Sequence, residues 1–292
     1  VVSLLLIVLG VVGLLVQYSA SGHSMAVVIN QAERLGLGFA VMIVAAQAPP
    51  EFYRAAAPWL YGFGVVMLLA VLVLGDHAKG AQRWLDLGVL RFQPSEILKL
   101  AMPMAVAAYL HTRPLPPKPT TILVTLAIIG VPTVLIAMQP DLGTAVLVLA
   151  AGVLALYFGG LGVRWILLVL AGAAAAAPLL WFKLHDYQRN RVLTFLDPER
   201  DPLGTGYHIT QSKIAIGSGG IFGKGFGNGT QSHLDYLPEG HTDFVFATMA
   251  EEWGIVGGFF ILFMYYLLMR WGLSVAMQSK TRYGQLVAAG LT

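Results

Sequence analysis

The chain has 292 residues, of which 57% are apolar and only 11% are charged, and its mean hydropathy is +0.72. Soluble globular domains carry about a quarter charged residues, so this composition excludes an ordinary soluble protein and predicts an integral membrane protein. The sequence has no cysteine, which excludes disulfides and thiolate metal sites, and its 7 histidines form no HxxxH or HExxH pattern.

Long apolar runs of about 17 to 25 residues predict transmembrane helices, because the strands of a membrane barrel would show ten-residue segments of alternating polarity. We therefore predict an all-α, polytopic membrane helix bundle that forms one transmembrane domain over residues 1–292. Eight complete spans and the start of a ninth, near residue 286, are expected. The spans are predicted at residues 2–16, 35–48, 58–74, 94–109, 122–138, 142–158, 165–182 and 244–269.

Lysines and arginines between the spans indicate the orientation. With a cytoplasmic N-terminus, the inner connections have Glu51 as their acid and hold Arg54, Arg113, Lys118, Arg164, Arg270, Lys280 and Arg282. The short outer connections hold Arg34, Lys79, Arg83 and Arg91. This bias favours the cytoplasmic N-terminus. Residues 76–96, 139–141 and 183–243 then face the outside, where an acid from each segment can line one cavity.

The polar segment 183–243 is expected to be a long extracytoplasmic loop that lies over the outer mouth of the bundle. It has no sustained core pattern, and 9 glycines fall between Gly204 and Gly229, so it cannot bury enough surface to fold alone. Its apolar residues predict one short interfacial helix, built on Tyr207, Ile209, Ile214 and Ile216.

Acidic residues gather where this loop turns into the eighth span. Asp243, Glu251 and Glu252 lie there, and ionisable groups at a membrane surface are functional candidates by default. Alternatively, Asp243 only caps the helix that follows or favours its start electrostatically, as carboxylates do at helix N-termini. That alternative does not explain the glycines or the charged residues just before it, which are Lys213, Lys224 and Glu239.

Two further acids begin predicted helices. Pro94 suits the first position of the fourth span, and Glu96 and Lys99 follow three residues apart on one helix face, where they can pair. Asp141, directly after Pro140, is either a helix-start acid or a site acid.

Four segments resemble the SEDS family of bacterial cell-wall polymerases. They are GAQRWLDLGVLRFQPSEILKL, QPDLGTA, QSKIAIGSGGIFGKGFGNGTQS and LPEGHTDFVFATMAEEWG. The resemblance runs from residue 80 to residue 257, and its loop-to-helix stretch is highly specific. Lys224 and the GTQS at 229–232 make the chain more similar to the elongation branch of the family than to its division branch.

The resemblance implies a ten-helix protein of the bacterial cytoplasmic (inner) membrane that polymerises lipid II into glycan strands during cell elongation. Asp243, in HTDF, falls on the family's catalytic aspartate, and Glu96 and Lys99 fall on an ion pair that the family needs for activity. Expected partners are a class B penicillin-binding protein, other elongation-complex proteins and membrane lipids, with no nucleic acid. Because the family's last two helices and its Pro/Ser/Gly-Gly signature are not in this sequence, we expect a piece of a longer span set.

The expected chemistry assigns the general base to Asp243, which takes a proton from the acceptor sugar hydroxyl. Cations stabilise the leaving undecaprenyl diphosphate, and a divalent ion, Mg²⁺ or Mn²⁺, can share that role. The predicted substrate-binding residues are Arg83, Glu96, Lys99, Asp141, Lys213, Lys224 and Glu239. Arg83 is equally compatible with an ordinary interfacial arginine. Two other functions stay open: a lipid II flippase and a non-catalytic scaffold for a penicillin-binding protein.

Overall fold

The computed structural model describes residues 2–74, 76–78, 81–86, 91–114, 116–139, 141–183, 189–190, 192–194, 197, 205–233, 240 and 242–292. Its helices are α1 (Val2–Ala20), α2 (Met25–Gln47), α3 (Pro50–Leu74), α4 (Pro94–Leu110), α5 (Pro119–Met138), α6 (Leu142–Phe158), α7 (Val163–Lys183), α8 (Thr205–Ser218), α9 (Thr230–His233), α10 (Val245–Gln278) and α11 (Arg282–Leu291). Each predicted span falls on one of α1–α7 or α10, which confirms a polytopic helical bundle. Within the described part of the chain, α1, α2, α3, α5 and α10 are long and apolar enough to cross a membrane by length and composition.

Three predicted boundaries are wrong. α10 continues to Gln278 and does not end at residue 269, so Arg270 lies inside the helix and not in a connecting loop. α2 begins at Met25 and not at residue 35, so Arg34 lies inside the helix. No residue of α2 is buried in the structure, so a long side chain such as Arg34 can extend away from the helix axis. α3 begins at Pro50, a residue that the first turn of a helix tolerates, and Pro58 lies inside it.

Three short strands occupy part of the charged segment after α3, which the sequence analysis did not predict as strands. β1 (Asp76–Ala78), β2 (Ala81–Asp86) and β3 (Arg91–Phe92) form an antiparallel sheet in the order β1-β2-β3. The register places Leu85 opposite Phe92.

The chain divides into two compact units: Val1–Ala46 with Trp181–Trp271, and Gln47–Leu180 with Gly272–Thr292. The core of the second unit is built on α4, where Leu98, Met102, Val106 and Leu110 are fully buried. Their spacing of four places them on one helix face. Lipid is as apolar as leucine, so close van der Waals packing must hold this core together.

Glycine permits that close packing where α3 crosses α4. A Cβ added at Gly64 would lie 2.8 Å from Cγ of Leu98, which is closer than packed carbon atoms approach. The same arrangement recurs where α6 crosses α5, because a Cβ at Gly152 would lie 2.6 Å from Cγ1 of Ile129. Both helix pairs therefore depend on a glycine at the point of contact.

Candidate active site

Asp243 lies at the entrance to α10. It is exposed and stands two residues before the helix begins at Val245. The first helical bond runs from the Thr248 N–H to the Phe244 carbonyl, so Phe244 and not Asp243 takes the N-cap position. The Ala247 N–H also donates to the Phe244 carbonyl, at 2.9 Å. A side-chain cap therefore does not account for Asp243, and its carboxylate is accessible to a ligand.

Packing between α8 and α10 holds Phe244, the residue next to Asp243, in place. Ala215 of α8 is fully buried against Ala247 of α10, and Phe244 packs against both. The structure confirms the predicted helix around residues 207–216, but the buried face carries small residues, whereas Ile214 and Ile216 are exposed. Small side chains let the backbones of α8 and α10 approach closely.

α10 is interrupted at Gly254, whose φ of 68° and ψ of −163° are not helical. In an unbroken helix the next two N–H groups would bond to carbonyls four residues earlier. Instead, Ile255 donates to the Gly220 carbonyl (3.0 Å) and Val256 donates to the Ile221 carbonyl (3.2 Å). We call residues 219–229 the glycine loop.

The carbonyls released by this interruption are also satisfied by the glycine loop. The Glu251 carbonyl accepts from the Lys224 N–H, and the Glu252 carbonyl accepts from the Gly225 N–H, both at 3.0 Å. The glycine loop thus supplies acceptors for the two N–H groups after the break and donors for the two carbonyls before it. An unpaired buried backbone group costs about 1 to 3 kcal/mol, so these contacts make the break tolerable inside a membrane protein.

The close approach requires glycine at the contact points. Gly223 has a φ of +79°, and a Cβ there would lie 2.0 Å from the Glu252 carbonyl oxygen. A Cβ at Gly254 would lie 2.4 Å from the Gly223 nitrogen. Positive φ is also strained for residues with side chains. Glycine-rich sequence in this loop therefore serves backbone pairing with α10.

A buried ion pair joins the same two segments. Lys224 Nζ lies 2.6 Å from Glu251 Oε1, and the Glu251 side chain is completely buried whereas that of Lys224 is 28% exposed. The Thr230 hydroxyl donates to the same oxygen at 3.0 Å, and the Gln231 N–H donates to both carboxylate oxygens, at 3.1 and 3.2 Å. The carboxylate is well paired, as a buried charge must be. Sequence reasoning placed Lys224 at the substrate diphosphate and missed this pairing, which depends on a contact between residues 27 positions apart.

The neighbouring acid connects α10 to the N-terminal helix. Ser19, near the end of α1, donates its hydroxyl to Glu252 Oε1 at 2.5 Å, and both residues are buried. α10 is thus held by α1, α8 and the glycine loop within a few turns of Asp243.

An apolar cavity of about 840 Å³ opens beside Asp243 in the same unit. Helices α1, α2 and α10 line it, and Thr242 and Val245, on either side of Asp243, contribute to its wall. Its polar lining includes Gln17, Gln31 and Arg34. The sequence analysis assigned Arg34 to a connecting segment and so missed its place in this wall.

The second unit contains the other predicted ion pair. Glu96 Oε2 and Lys99 Nζ are 2.7 Å apart, which confirms that the two residues pair, but their side chains are 54% and 36% exposed. If these exposed side chains face water at the membrane surface, solvent screens the pair and it contributes little to folding.

Asp141 takes the helix-start role at the N-terminus of α6. Its carboxylate accepts from the Thr144 N–H at 3.3 Å and from the Thr144 hydroxyl at 2.9 Å. Gln93, directly before α4, donates to the same carboxylate at 3.1 Å. The segments before α4 and α6 therefore meet at one end of this unit, as the predicted topology requires.

The structure describes only some of the remaining predicted site residues. Lys213 is exposed on α8, and Arg83 belongs to β2 with its side chain outside the described residues. Glu239 also lies outside them. Among the residues that the structure does describe, no three His, Cys, Asp or Glu residues are close enough to hold a metal ion.

Comparison with known proteins identifies the family of this chain. Residues 1–292 match the model of the cell cycle protein family that groups FtsW, RodA and SpoVE. The chain belongs to this family. Over 289 residues it is 49% identical to the peptidoglycan glycosyltransferase MrdB of Escherichia coli K12, covering 99% of this chain and 78% of that protein. A probable peptidoglycan glycosyltransferase FtsW of Idiomarina loihiensis is 36% identical over 260 residues, covering 87% and 63%.

Two solved structures agree with this assignment. A chain from a peptidoglycan synthase complex that coordinates polymerization and crosslinking superposes with a TM-score of 0.82 and 34% identity, over 99% of this chain and 81% of that one. The rod shape determining protein RodA of Thermus thermophilus superposes with a TM-score of 0.71 and 27% identity, over 99% and 78%. These matches confirm the predicted SEDS family, its elongation branch and the peptidoglycan glycosyltransferase function.

Proposed function

We propose that this SEDS protein polymerises lipid II into β-1,4-linked glycan strands, with Asp243 as the general base. The observation that carries the proposal is the exposed carboxylate of Asp243 between Thr242 and Val245, two residues that line an 840 Å³ apolar cavity, in a chain 49% identical to a peptidoglycan glycosyltransferase over almost its whole length. A lipid-linked sugar needs both an apolar wall for its chain and a polar group at the reacting end.

Glycosyl transfer requires removal of a proton from the acceptor hydroxyl as that oxygen attacks. A carboxylate within about 3 Å of the hydroxyl performs this step. Asp243 takes the proton from the GlcNAc 4-hydroxyl of the acceptor lipid II. The oxygen then attacks C1 of the donor strand's terminal MurNAc, and the bond from C1 to the diphosphate breaks. One displacement converts an α-linked diphosphate into a β-1,4 linkage.

Negative charge builds on the departing undecaprenyl diphosphate, and nearby cations lower the energy of that state. Lys213 and Lys99 are exposed or half-exposed and suit this role, as does Arg83 by its position in the sequence. Lys224 is paired with Glu251, so its main task is to hold the glycine loop against α10. Asp141, Glu96 and Glu239 are proposed to contact the polar part of the substrate. A divalent cation, Mg²⁺ or Mn²⁺, stays a prediction that chelation during the assay tests.

Rigid support of Asp243 is part of the proposal. The four backbone bonds across the break at Gly254 and the Lys224–Glu251 pair fix α10 about 9 to 17 Å from its first residue, at the 1.5 Å rise of a helix. Catalytic groups must be held in place by their surroundings to be effective. The glycine loop therefore positions the base without touching the reacting atoms.

The same relatives support proposals for the partner and the location. A peptidoglycan synthase complex combines polymerisation with crosslinking, so we propose that a class B penicillin-binding protein, together with other elongation-complex proteins, joins this chain. The bacterial inner membrane, with the site on its outer side, is the proposed location. Membrane lipids surround the helices, and no nucleic acid is expected.

Purified protein in vesicles with labelled lipid II tests the function. Glycan strands that lysozyme degrades are expected in the absence of any penicillin-binding protein. Lipid II that only changes leaflet would support a flippase. Polymer that forms only when a partner synthase is added, and forms equally with Asp243→Asn, would support a scaffold.

A further inference from the structure

A second cavity lies in the unit that contains α3, α4 and α5, far from the segments that begin α4 and α6. Its volume is about 410 Å³. α4 runs for 17 residues between the two ends of this unit, which separates them by about 25 Å. The cavity is lined by Arg54, Ala55, Pro58, Tyr61, Ala105, Ala108, Tyr109, His111 and Ile128.

The wall of this cavity is apolar along α3. Tyr61 lies two helical turns from Arg54, about 10 Å at the rise of a helix. Its hydroxyl donates to the Ile128 carbonyl at 2.9 Å, so the inner polar group is already satisfied. Ala55, Pro58 and Ala105 leave a smooth surface between the two ends. This shape suits part of a hydrocarbon chain, since one leaflet of hydrocarbon is about 15 Å thick.

Basic residues lie in the wall of this cavity and next to it. Arg54 and His111 line it directly, and the Arg113 guanidinium stacks 4.7 Å from the ring centre of Tyr109, another lining residue. Arg282 of α11 donates to the Arg113 carbonyl. Glu51, one turn before Arg54, is the acid of this region among the described residues.

A buried, unsatisfied hydroxyl lies next to this cluster. The Tyr283 ring stands edge to face with the His111 ring, 6.4 Å apart between centres. Tyr283 is 4% exposed, and within the described part of the chain its hydroxyl has no hydrogen-bond partner. Tyr283 is not among the residues that line the cavity, so no contact between this hydroxyl and the lipid is assigned.

We propose that this cavity binds one anionic glycerophospholipid, such as phosphatidylglycerol. The phosphate contacts Arg54 and His111, while an acyl chain lies along α3 between Ala55 and Tyr61. The headgroup is chosen because basic residues lie in the wall of the cavity and next to it, and the lipid is chosen over a free anion because the cavity continues as an apolar channel. Basic pockets between membrane helices bind lipid phosphates in this way.

Native mass spectrometry of the purified protein tests the proposal. Detergent micelles carry equal amounts of palmitoyl-oleoyl phosphatidylglycerol or of phosphatidylethanolamine with the same acyl chains. We expect one retained phosphatidylglycerol and weaker retention of the zwitterionic lipid. Arg54→Gln should weaken phosphatidylglycerol binding roughly fivefold, the effect of one basic residue near an anionic lipid.

Two variants distinguish binding inside the cavity from nonspecific attraction of anionic lipid to basic residues. Ala55→Leu keeps every charge but narrows the cavity, and it should reduce binding as well. Lys118→Gln removes an exposed cation of the same region that does not line the cavity, and it should bind like the unmodified protein. Thermal unfolding checks that each variant is folded.

Several results would overturn the proposal. These are equal retention of the two lipids, equal weakening by Arg54→Gln and Lys118→Gln, or no effect of Ala55→Leu. Competition with inorganic phosphate provides a further test. If millimolar phosphate displaces the lipid, and if Ala55→Leu binds the lipid as well as the unmodified protein does, the cavity is a free-anion site instead.

Discussion

Replacing Lys224 by methionine tests the role of the glycine loop. The change keeps the length of the side chain but leaves the fully buried Glu251 carboxylate without its cation. Removing one partner of a buried ion pair costs about 3 to 5 kcal/mol. Lys224 is 28% exposed, and Thr230 and Gln231 still donate to the carboxylate. We therefore expect about 3 kcal/mol, the lower end of that range.

This loss raises the fraction of molecules with an open glycine loop roughly a hundredfold, since each 1.4 kcal/mol is a factor of ten. Hydrogen exchange reports it directly through the amides of Lys224, Gly225, Ile255 and Val256, which make the bonds across the break. Methionine at 224 should speed their exchange by about that factor and slow lipid II polymerisation. The matched control, Lys213→Met, removes an exposed lysine from α8 and should leave the exchange unchanged.

A second substitution separates charge from packing. In the double variant Lys224→Met with Glu251→Gln, the buried charge is gone but the amide oxygen still accepts from Thr230 and Gln231. Stability should recover much of the loss, and the double-mutant cycle should show strong coupling. Unchanged exchange in Lys224→Met, or additive losses in the double variant, would refute the idea that this pair holds the loop.

Two further predictions concern the loop and the second unit. Gly223→Ala should misfold the loop or lower the melting temperature strongly, because the new methyl group would lie 2.0 Å from a carbonyl oxygen of α10, whereas Gly217→Ala has nothing within 4 Å and should be tolerated; equal melting temperatures would contradict this. Glu96→Gln and Lys99→Gln should each change stability by less than about 1 kcal/mol, as exposed pairs do, while lowering polymerisation. A large drop in melting temperature, with normal turnover by the surviving protein, would assign the pair a structural role.

The positions of most helices could be predicted because apolar runs of spanning length leave few alternatives. Predicted helix boundaries were wrong where one residue was compatible with two interpretations. Arg34 was read as the end of a connecting segment, yet α2 continues through it on an exposed face. Pro58 was read as a helix start, yet it lies inside α3. The strands between Asp76 and Phe92 were missed because dense charge resembles a solvated loop.

The candidate site was predicted in its parts but not in its connections. HTDF and QPSE indicated Asp243, Glu96 and Lys99 as candidates, whose roles stay predictions, and the spacing of the last two correctly indicated their pairing. The contact of Lys224 with Glu251 joins segments 27 residues apart, which no local pattern reveals. The break at Gly254 was equally hidden, because a glycine in an apolar run is compatible with a continuous helix.

The rate of lipid II polymerisation by Asp243→Asn tests the central claim most directly. Asparagine keeps the size of the side chain but cannot accept the proton, so the rate should fall about a hundredfold to ten-thousandfold. Because Asp243 is exposed and Phe244 takes the N-cap position of α10, the melting temperature should stay unchanged. A folded Asp243→Asn protein that polymerises lipid II at the normal rate would contradict the account.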